Sequence, residues 1–311
     1  MNVLISSVSR KVSLVRSFKA AGWDTVVVAD MDQNCAGMYE GDESVILPAL
    51  DADSFRHVLL GACLRLDVSL VVPTRDEEVL AFSEWKSDFK KHGITLLAPS
   101  KDAVSICQDK IRFTEWCQEK GFKTARVVDV DNDLLTYPLF VRSRRGKGST
   151  AARRIVDFTA LLHCVADFGA RDCIVQEYVR SPEYSIDVFA TAEGEIVSAV
   201  PRQRVQIVGG ESWNTVTVSD PAMQAEAVKL AKALKLTGHA VLQCFRRGDD
   251  ILWIECNPRL GGASALAFEA GCASPKWLLK GVTVDAGGLV PYQVGLRMLR
   301  YTQDRFVSSP L

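Results

Sequence analysis

The sequence has no stretch of the roughly 18 or more apolar residues that a helix needs to cross a membrane. Its nine cysteines include no pair at C-x-x-C spacing, and its four histidines include no H-E-x-x-H segment. These absences argue against a disulfide framework, zinc sites and histidine-based metal chemistry. The net charge of −1 gives no electrostatic reason to expect nucleic acid or an anionic membrane as a partner. The composition therefore predicts a globular protein with reduced thiols.

The N-terminus lacks the basic segment and cleavage site of an export signal, so we expect a cytoplasmic protein. Residues 1–98 instead alternate short apolar runs with amphipathic stretches, which is typical of βαβ units and predicts a doubly wound layer. The turn after the first strand, residues 6–10, contains no glycine, which argues against dinucleotide binding there. The runs predicted as buried parallel strands are residues 2–6, 25–29, 69–72 and 95–98.

The pattern changes after residue 98. A long helical pattern follows, with Ser100 as its N-cap. From about residue 137 the sequence consists of short strands separated by turns, which predicts a mainly antiparallel sheet. We therefore place the domain boundaries near residues 98 and 175.

A strand pair late in the chain carries three side chains suited to a metal ion. Residues two apart on a strand point to the same face, so Glu255 and Asn257 share one. If the hairpin centres on residue 249, Gln243 lies directly across from Glu255. One carboxylate and two amide oxygens match the hard ligands that Mg²⁺ prefers. The alternative is a solvated sheet face, but Arg259 and a glycine pair follow at once and favour a site beside a phosphate.

With these residues the sequence resembles the ATP-grasp superfamily, and within it single-unit ligases similar to the carbamoyl-phosphate synthase large subunit. The resemblance covers nearly the whole chain, and its most specific part is the segment that contains Gln243, Glu255 and Asn257. It implies an α/β (α+β) ATP-grasp fold, with a Rossmann-like pre-ATP-grasp lobe (1–98) before a small lobe (99–175) and a large lobe (176–311) that clasp ATP. It also implies that these three residues bind Mg²⁺, or Mn²⁺ in its place, and that Arg259 stabilises the transferring phosphoryl group.

Other segments resemble the nucleotide-binding parts of the family. Lys110, after Asp109, matches the base that reaches the ATP phosphates, and Arg142 occupies the position of a second such base. The resemblance thus makes Lys110, Arg142 and Arg259 the catalytic residues. The usual Lys-Pro is Arg142-Ser143 here, which leaves the nucleotide geometry open because arginine binds as a bidentate fork. The other implied ATP contacts, each unremarkable alone, are a glycine-rich loop (Gly146, Gly148, Ser149), an adenine-reading strand (Gln176, Glu177, Tyr178, Val179) and Glu183 at the ribose.

Two arginines on a later strand are candidates for binding the acyl substrate. Arg202 and Arg204 are two apart, so they share a face and can clamp a carboxylate together; the alternative is a solvated strand. The resemblance favours the substrate role and adds Arg259 and Gly262, where the backbone can approach closely. The charged cluster at residues 73–78 either caps a helix or contacts a substrate.

The predicted activity is that of an ADP-forming ligase, which activates a carboxylate on ATP for attack by an amine. Its expected partners are therefore a small-molecule carboxylate and a small-molecule amine. Two alternatives stay open: phosphorylation of bicarbonate or carbamate, as in one half of carbamoyl-phosphate synthetase, and a module that senses ATP without chemistry. The segment 295–301 is predicted to pack on the body of the protein or to form a homodimer contact.

Overall fold

The computed structural model describes residues 1–131, 134–146, 152–169, 171–282 and 288–307. Its N-terminal lobe is a parallel sheet between helices. Apolar cores cover both faces of this sheet, so the strands in its middle are buried on both sides, as the apolar runs predict. The strands, in the spatial order β3-β2-β1-β4-β5, are β1 (Asn2–Ser6), β2 (Thr25–Asp30), β3 (Glu43–Ile46), β4 (Val68–Val72) and β5 (Thr95–Leu96). The helices are α1 (Val12–Ala20), α2 (Phe55–Arg65) and α3 (Asp76–Lys90).

The sequence predicts four of these five strands and misses β3. Only Val45 of that edge strand is buried, so the strand carries almost no apolar signal. A second prediction is wrong: the long helix after Ser100 is two helices, α4 (Lys101–Cys107) and α5 (Lys110–Glu119). Asp109 interrupts the pattern because its carboxylate caps α5, accepting from the amides of Ile111 at 3.1 Å and Arg112 at 3.3 Å.

A small antiparallel sheet with its own apolar core follows. It is formed by β6 (Leu139–Ser143), β7 (Arg153–Ile155) and β8 (Cys173–Glu177) in the order β7-β6-β8, and α6 (Phe158–Phe168) packs against it. The boundary predicted near residue 175 falls inside β8, while α4 and α5 pack on the large sheet described next. The domain limits remain predictions.

The largest sheet is antiparallel and has one apolar face and one partly polar face. Helices α4, α5 and α7 (Pro221–Ala233) pack on the first face, and α8 (Ser264–Ala270) covers part of the second. Among the described residues, no helix is long and apolar enough to cross a membrane. The sheet and its helices are β9 (Glu183–Ala190), β10 (Ile196–Val208), β11 (Glu211–Thr217), α7 (Pro221–Ala233), β12 (Gly238–Arg247), β13 (Asp250–Asn257), α8 (Ser264–Ala270), α9 (Ser274–Lys280) and β14 (Arg297–Leu299), with the strands in the order β13-β12-β9-β10-β11-β14.

Candidate active site

A β-bulge in the β12–β13 hairpin sets the position of Glu255. Cys244 pairs with Trp253, and a regular register would then place Gln243 opposite Ile254. The bulge adds one residue to β13, so Gln243 instead lies opposite Glu255. This confirms the pairing expected from the sequence, although it arises from a two-residue turn and a bulge rather than from a turn centred on residue 249.

The bulge also decides which side chains of β13 enter the core. Trp253 and Cys256 both pack in the core beneath α4, α5 and α7, although residues three apart on a regular strand point to opposite faces. The bulge inserts one extra residue between Trp253 and Cys256, so both side chains point into the core. Glu255 and Asn257 therefore point to the polar face of the sheet.

Glu255 is the carboxylate on this face of the edge strand β13. Its Oε1 accepts hydrogen bonds from Gln243 Nε2 at 2.8 Å and Asn257 Nδ2 at 3.1 Å. Its Oε2 lies 3.5 Å from Arg142 Nη1, and the side chain is 24% exposed. Glu255 therefore joins the hairpin to the small sheet.

Arg142 reaches Glu255 from β6 of the small sheet. Its Nε donates to Gln176 Oε1 at 3.1 Å, and its Nη2 donates to the carbonyl of Ile254, the extra residue of the bulge, at 3.0 Å. Burial lowers the pKa of the guanidinium, and the charges of Glu255 and Glu183 oppose that effect. The side chain of Gln176, a residue predicted to read adenine with its backbone, therefore orients Arg142.

Lys110 enters the same region from the start of α5. Its Nζ donates to the Gly146 carbonyl at 3.0 Å, and its amide donates to the Arg144 carbonyl at 3.0 Å. Burial lowers the pKa of the Lys110 ammonium, and Glu255 is the largest influence that raises it. Lys110 is thus held beside the predicted glycine-rich loop, of which Gly148 and Ser149 lie outside the described residues.

Asp109 fixes the base of that loop. Its carboxylate accepts from Arg144 Nε at 2.8 Å and from Arg145 Nη2 at 3.1 Å while capping α5. Burial acts to raise the pKa of Asp109, but these hydrogen bonds hold it below the ordinary value. Asp109 therefore ties the strand that ends in the loop to the helix that begins with Lys110.

Arg259 is held by the N-terminal lobe. Its Nε and Nη2 donate to Oδ1 and Oδ2 of Asp76 at 2.7 and 2.6 Å, and Nη2 also lies 3.3 Å from Asn257 Oδ1. Burial alone would lower the pKa of Arg259, but the Asp76 carboxylate raises it above the ordinary arginine value. The carbonyl of Gly262, three residues further on, accepts from Arg300 Nη2 at 2.6 Å.

The two arginines predicted to clamp a substrate carboxylate have different surroundings. Arg204 Nη1 donates to Gln243 Oε1 at 2.7 Å and is paired with Glu183, so it belongs to the same region as Glu255. Burial raises the pKa of Glu183, and Arg204 opposes that effect. Arg202 is 3% exposed, and its Nε donates to buried Asp187 at 2.7 Å. This geometry favours an internal ion pair for Arg202 over the predicted clamp.

The strand end predicted to read adenine lies at the junction of the small and large sheets. Glu177 Oε1 accepts from the Arg126 amide at 3.2 Å and faces Arg247 at 3.3 Å. Tyr178 is 36% exposed and its ring lies beneath the Arg154 guanidinium, which is 5.2 Å from the ring centroid, while Val179 is buried.

The donor set around Glu255 fits a magnesium ion completed by phosphate oxygens and water. The amide nitrogens of Gln243 and Asn257 face Glu255, while their oxygens accept from Arg204 and Arg259. Each amide would present its oxygen to an ion beside Glu255 by a half turn that breaks its hydrogen bond with the arginine. Within the described residues, no group of three or more His, Cys, Asp or Glu side chains could hold a metal. The protein would therefore supply one carboxylate and two amide oxygens, in keeping with the few protein ligands that Mg²⁺ usually takes.

A cavity of about 460 Å³ opens at the carboxyl ends of the N-terminal strands. Arg75, Glu77 and Glu78 line one wall, immediately beside Asp76, and Phe55 and other apolar residues line another. Sequence reasoning placed residues 73–78 at a ligand-binding edge but missed the contact of Asp76 with Arg259. The position of Asp76 after a parallel strand is the one signal that could have indicated it.

The comparisons with known proteins agree with this architecture. Residues 3–97 match the family model described as "PylC-like, N-terminal domain", and residues 169–303 match "ATP-grasp in the biosynthetic pathway with Ter operon". The second match contains Glu255 and the residues around it. Residues 169–303 therefore belong to the ATP-grasp superfamily, and a PylC-like N-terminal domain precedes them in the chain.

Curated proteins resemble this chain at low sequence identity. The carbamoyl phosphate synthase large chain of Clostridium acetobutylicum is 22% identical over 190 residues, which cover 54% of this chain and 18% of that protein. The formate-dependent phosphoribosylglycinamide formyltransferase of Methanocaldococcus jannaschii is 27% identical over 258 residues, covering 75% of this chain and 63% of the relative. The chain thus spans less than two thirds of either protein.

Solved structures share the fold over almost the whole chain. The biotin carboxylase domain of the Hydrogenobacter thermophilus 2-oxoglutarate carboxylase, solved with MgADP and bicarbonate, has a TM-score of 0.72 at 15% identity and covers 94% of this chain and 72% of its own. An L-amino acid ligase from Bacillus licheniformis has a TM-score of 0.71 at 16% identity, with coverages of 90% and 73%. At these identities the likeness concerns the fold.

Proposed function

We propose that the chain is an ATP- and Mg²⁺-dependent ligase, which activates a carboxylate as an acyl phosphate and transfers the acyl group to an amine. The observation that carries the proposal is the group of cations around the carboxylate of Glu255. Arg142 Nη1 lies 3.5 Å from Glu255 Oε2, and Arg259 Nη2 lies 3.3 Å from Oδ1 of Asn257, whose amide nitrogen donates to Glu255 Oε1 at 3.1 Å. Lys110 Nζ lies beside them, 3.0 Å from the Gly146 carbonyl. Such cations suit a polyphosphate, because phosphoryl transfer relies on positioning and charge neutralisation.

In this proposal Glu255, Asn257 and Gln243 hold Mg²⁺, with Mn²⁺ as a substitute. When bound, the ion would neutralise charge on the phosphate oxygens. Lys110 and Arg142 hold the phosphates, together with the glycine-rich loop at Gly146, Gly148 and Ser149. The adenine lies against the backbone of residues 176–179. Glu183, which pairs with Arg204 in the structure, gives up this ion pair and accepts hydrogen bonds from the ribose hydroxyls when ATP binds. The MgADP of the Hydrogenobacter structure supports the choice of nucleotide and ion.

The proposed reaction has two steps. A carboxylate oxygen attacks the γ-phosphorus, the bond to the bridging oxygen breaks, and ADP leaves. The amine nitrogen then attacks the acyl carbon, the bond to the phosphate oxygen breaks, and the nitrogen gives up a proton. Arg259 faces the transferring phosphoryl group, and Arg204 holds the acyl group near Gly262.

The amine is assigned to the cavity of the N-terminal lobe. Arg75 and Glu77 line this cavity on either side of Asp76, which holds Arg259. An acceptor bound there would approach the acyl phosphate from the side of Arg259. The volume of about 460 Å³ lies in the range of small-molecule sites.

A second candidate is the phosphorylation of bicarbonate or carbamate. The carbamoyl phosphate synthase relatives favour it, as does the structurally similar domain that contains bicarbonate. This candidate uses the same residues for ATP and differs in the first substrate.

The test is ADP release from Mg-ATP across amino acids, small carboxylates and bicarbonate, each with and without amines. Stimulation that requires both a carboxylate and an amine supports the ligase, and stimulation by bicarbonate alone supports the second candidate. A Glu255→Gln preparation made in parallel controls for contaminating ATPases. ATP binding without stimulation by any member of the panel would contradict both candidates and favour an ATP sensor.

A further inference from the structure

A buried polar network lies on the face of the large sheet to which Glu255 and Asn257 point. Its centre is Asp187 of β9, whose carboxylate accepts from Arg202 Nε at 2.7 Å, Ser264 Oγ at 2.5 Å and His239 Nε2 at 3.0 Å. All four side chains are at most 3% exposed. The mechanism proposed above uses none of their contacts, so the network needs a separate explanation.

Asp187, the centre of the network, lies in the same cross-strand row as Asn257. Val241 pairs with Asn257 on one side and with Asp187 on the other, so these three side chains form one row across the face of the sheet. The chain leaves β13 at Asn257 and folds back over this row. Gly261 lies against Val241 so closely that an added Cβ would be 3.0 Å from Val241 Cγ2.

Ser264 joins this turn to the network. Its Oγ accepts from the Gly261 amide at 2.9 Å while donating to Asp187, and its amide donates to the Gly261 carbonyl at 3.1 Å. The turn that carries Asn257 and Arg259 is therefore fixed at its far end by a hydroxyl that is itself bound to a buried charge. Hydrogen bonds to a charged group are stronger than neutral ones, which makes this anchor rigid.

We propose that Ser264 is a positioning residue, which sets the catalytic geometry of Asn257 and Arg259 by holding Gly261 against the sheet. The inference rests on the proposed function, because it assigns Asn257 to the metal and Arg259 to the transferring phosphoryl group. Small misplacements of such groups have large effects on rate, so a tether five residues after Arg259 controls turnover without contacting substrate.

Ser274 provides a matched control. Like Ser264 it is the first residue of a short helix, is fully buried and lies within hydrogen-bond distance of His239, with Oγ 2.8 Å from Nδ1. Its side chain also contacts Cys272 Sγ at 3.3 Å. The hydrogen bonds of its hydroxyl thus end within the network and do not extend to Gly261. Replacing either serine by alanine removes one buried hydroxyl from the same network.

The experiment compares Ser264→Ala with Ser274→Ala in the full chain. We expect Ser264→Ala to lower kcat about tenfold to a hundredfold while KM for ATP changes less than about threefold, since only transition-state positioning is lost. Ser274→Ala should keep kcat within about twofold at a similar loss of thermal stability. Ser264→Cys, whose thiol is a weak donor and acceptor, should restore part of kcat and serves if the alanine variant does not fold.

Hydrogen exchange gives a second readout that needs no turnover. Backbone amides of residue 257 and residues 259–263 should exchange faster in Ser264→Ala than in Ser274→Ala, because only the first change releases Gly261. Equal exchange in the two variants would overturn the inference, as would equal values of kcat in an active enzyme. A wild-type protein without stimulated ADP release would contradict the proposed function instead, while the exchange comparison would still decide whether Ser264 holds the turn.

Discussion

Asp76 and Arg259 are separated by 183 residues in sequence, yet their side chains form a bidentate ion pair with distances of 2.7 and 2.6 Å. Asp76 begins α3 of the N-terminal lobe, and Arg259 follows the hairpin that carries Glu255. The turn after β1 has no glycine that would let a phosphate approach, but through this pair the N-terminal lobe orients an arginine of the candidate site. Leu260, buried in the core of that lobe, anchors the same turn.

We expect Asp76→Asn to lower kcat about a hundredfold, because an amide cannot accept both donors of Arg259 and the guanidinium would leave its position. Stimulated ADP release measures the effect. Glu84→Gln is the matched control, since Glu84 lies on the same helix and pairs with Lys101 at the surface. Its kcat should stay within about twofold, as exposed pairs contribute little. A kcat for Asp76→Asn equal to that of the control would show that Arg259 needs no partner.

Much of this site could be predicted from the sequence because it depends on short-range geometry. The opposition of Gln243 and Glu255 was predicted from strand periodicity and a turn centred on residue 249, whereas the structure reaches it through a two-residue turn and a bulge. The mechanism of that pairing did not follow, because a bulge at Ile254 leaves no clear mark in the residue types. The four parallel strands with apolar runs were likewise predictable, whereas the exposed edge strand β3 was not.

The partners of the charged residues could not be predicted. Asp76 has the sequence context of an ordinary acid at a helix start, and Asp187 that of an alternating strand. Their roles depend on contacts with Arg259 and Arg202, which only the tertiary structure brings close. For the same reason Arg202 and Arg204, two residues apart on one face, were treated alike, although one pairs with a fully buried acid and the other with a half-buried one.

Replacing Glu255 tests the metal assignment. Glu255→Gln keeps the shape of the side chain and removes the charge, so we expect kcat to fall at least about a hundredfold and the Mg²⁺ concentration for half-maximal rate to rise. ADP release measured over a Mg²⁺ titration checks both. Glu226→Gln is a suitable control, because Glu226 accepts from Trp253 Nε1 at 3.2 Å on the opposite face of the same hairpin. Near-normal turnover in Glu255→Gln would exclude this residue as the metal ligand.

The pH dependence of kcat/KM for ATP reports on Lys110 in the free enzyme. Burial lowers the pKa of Lys110, so the ammonium loses its proton at a lower pH than that of an ordinary lysine. We therefore expect kcat/KM to fall on the alkaline side with an apparent pKa below the ordinary lysine value. In Lys110→Arg the charge persists, so this decline should move to higher pH, although the maximum should be lower because the guanidinium is larger and forked. An alkaline limb that is unchanged in Lys110→Arg would assign the titration to another group.

The different surroundings of Arg202 and Arg204 predict different consequences of their loss. Arg202→Met removes the guanidinium that compensates the negative charge of the fully buried Asp187 carboxylate. We expect the free energy of unfolding to fall by about 3–5 kcal/mol. Arg204→Met should lower it less and should mainly lower kcat/KM for the carboxylate substrate, because Arg204 contacts Gln243 at the site. Urea unfolding and steady-state kinetics of both variants separate the two roles. A stable Arg202→Met protein with a raised KM for the carboxylate would restore the clamp predicted from the sequence.

The stability of the network around Asp187 should depend on pH through His239. Burial acts to lower the pKa of His239, but its hydrogen bond and ion pair with Asp187 raise the pKa to about 9. A pKa raised by folding stabilises the protein fully below the unfolded-state value of about 6.5, and this contribution is lost as the pH rises to about 9. We therefore expect the free energy of unfolding, measured in urea, to decline between these two values in the wild type. In His239→Gln the decline over that interval should be smaller, because the variant has no proton to lose there. Parallel pH profiles for the two proteins would mean that another group is responsible and that His239 is neutral in the folded protein.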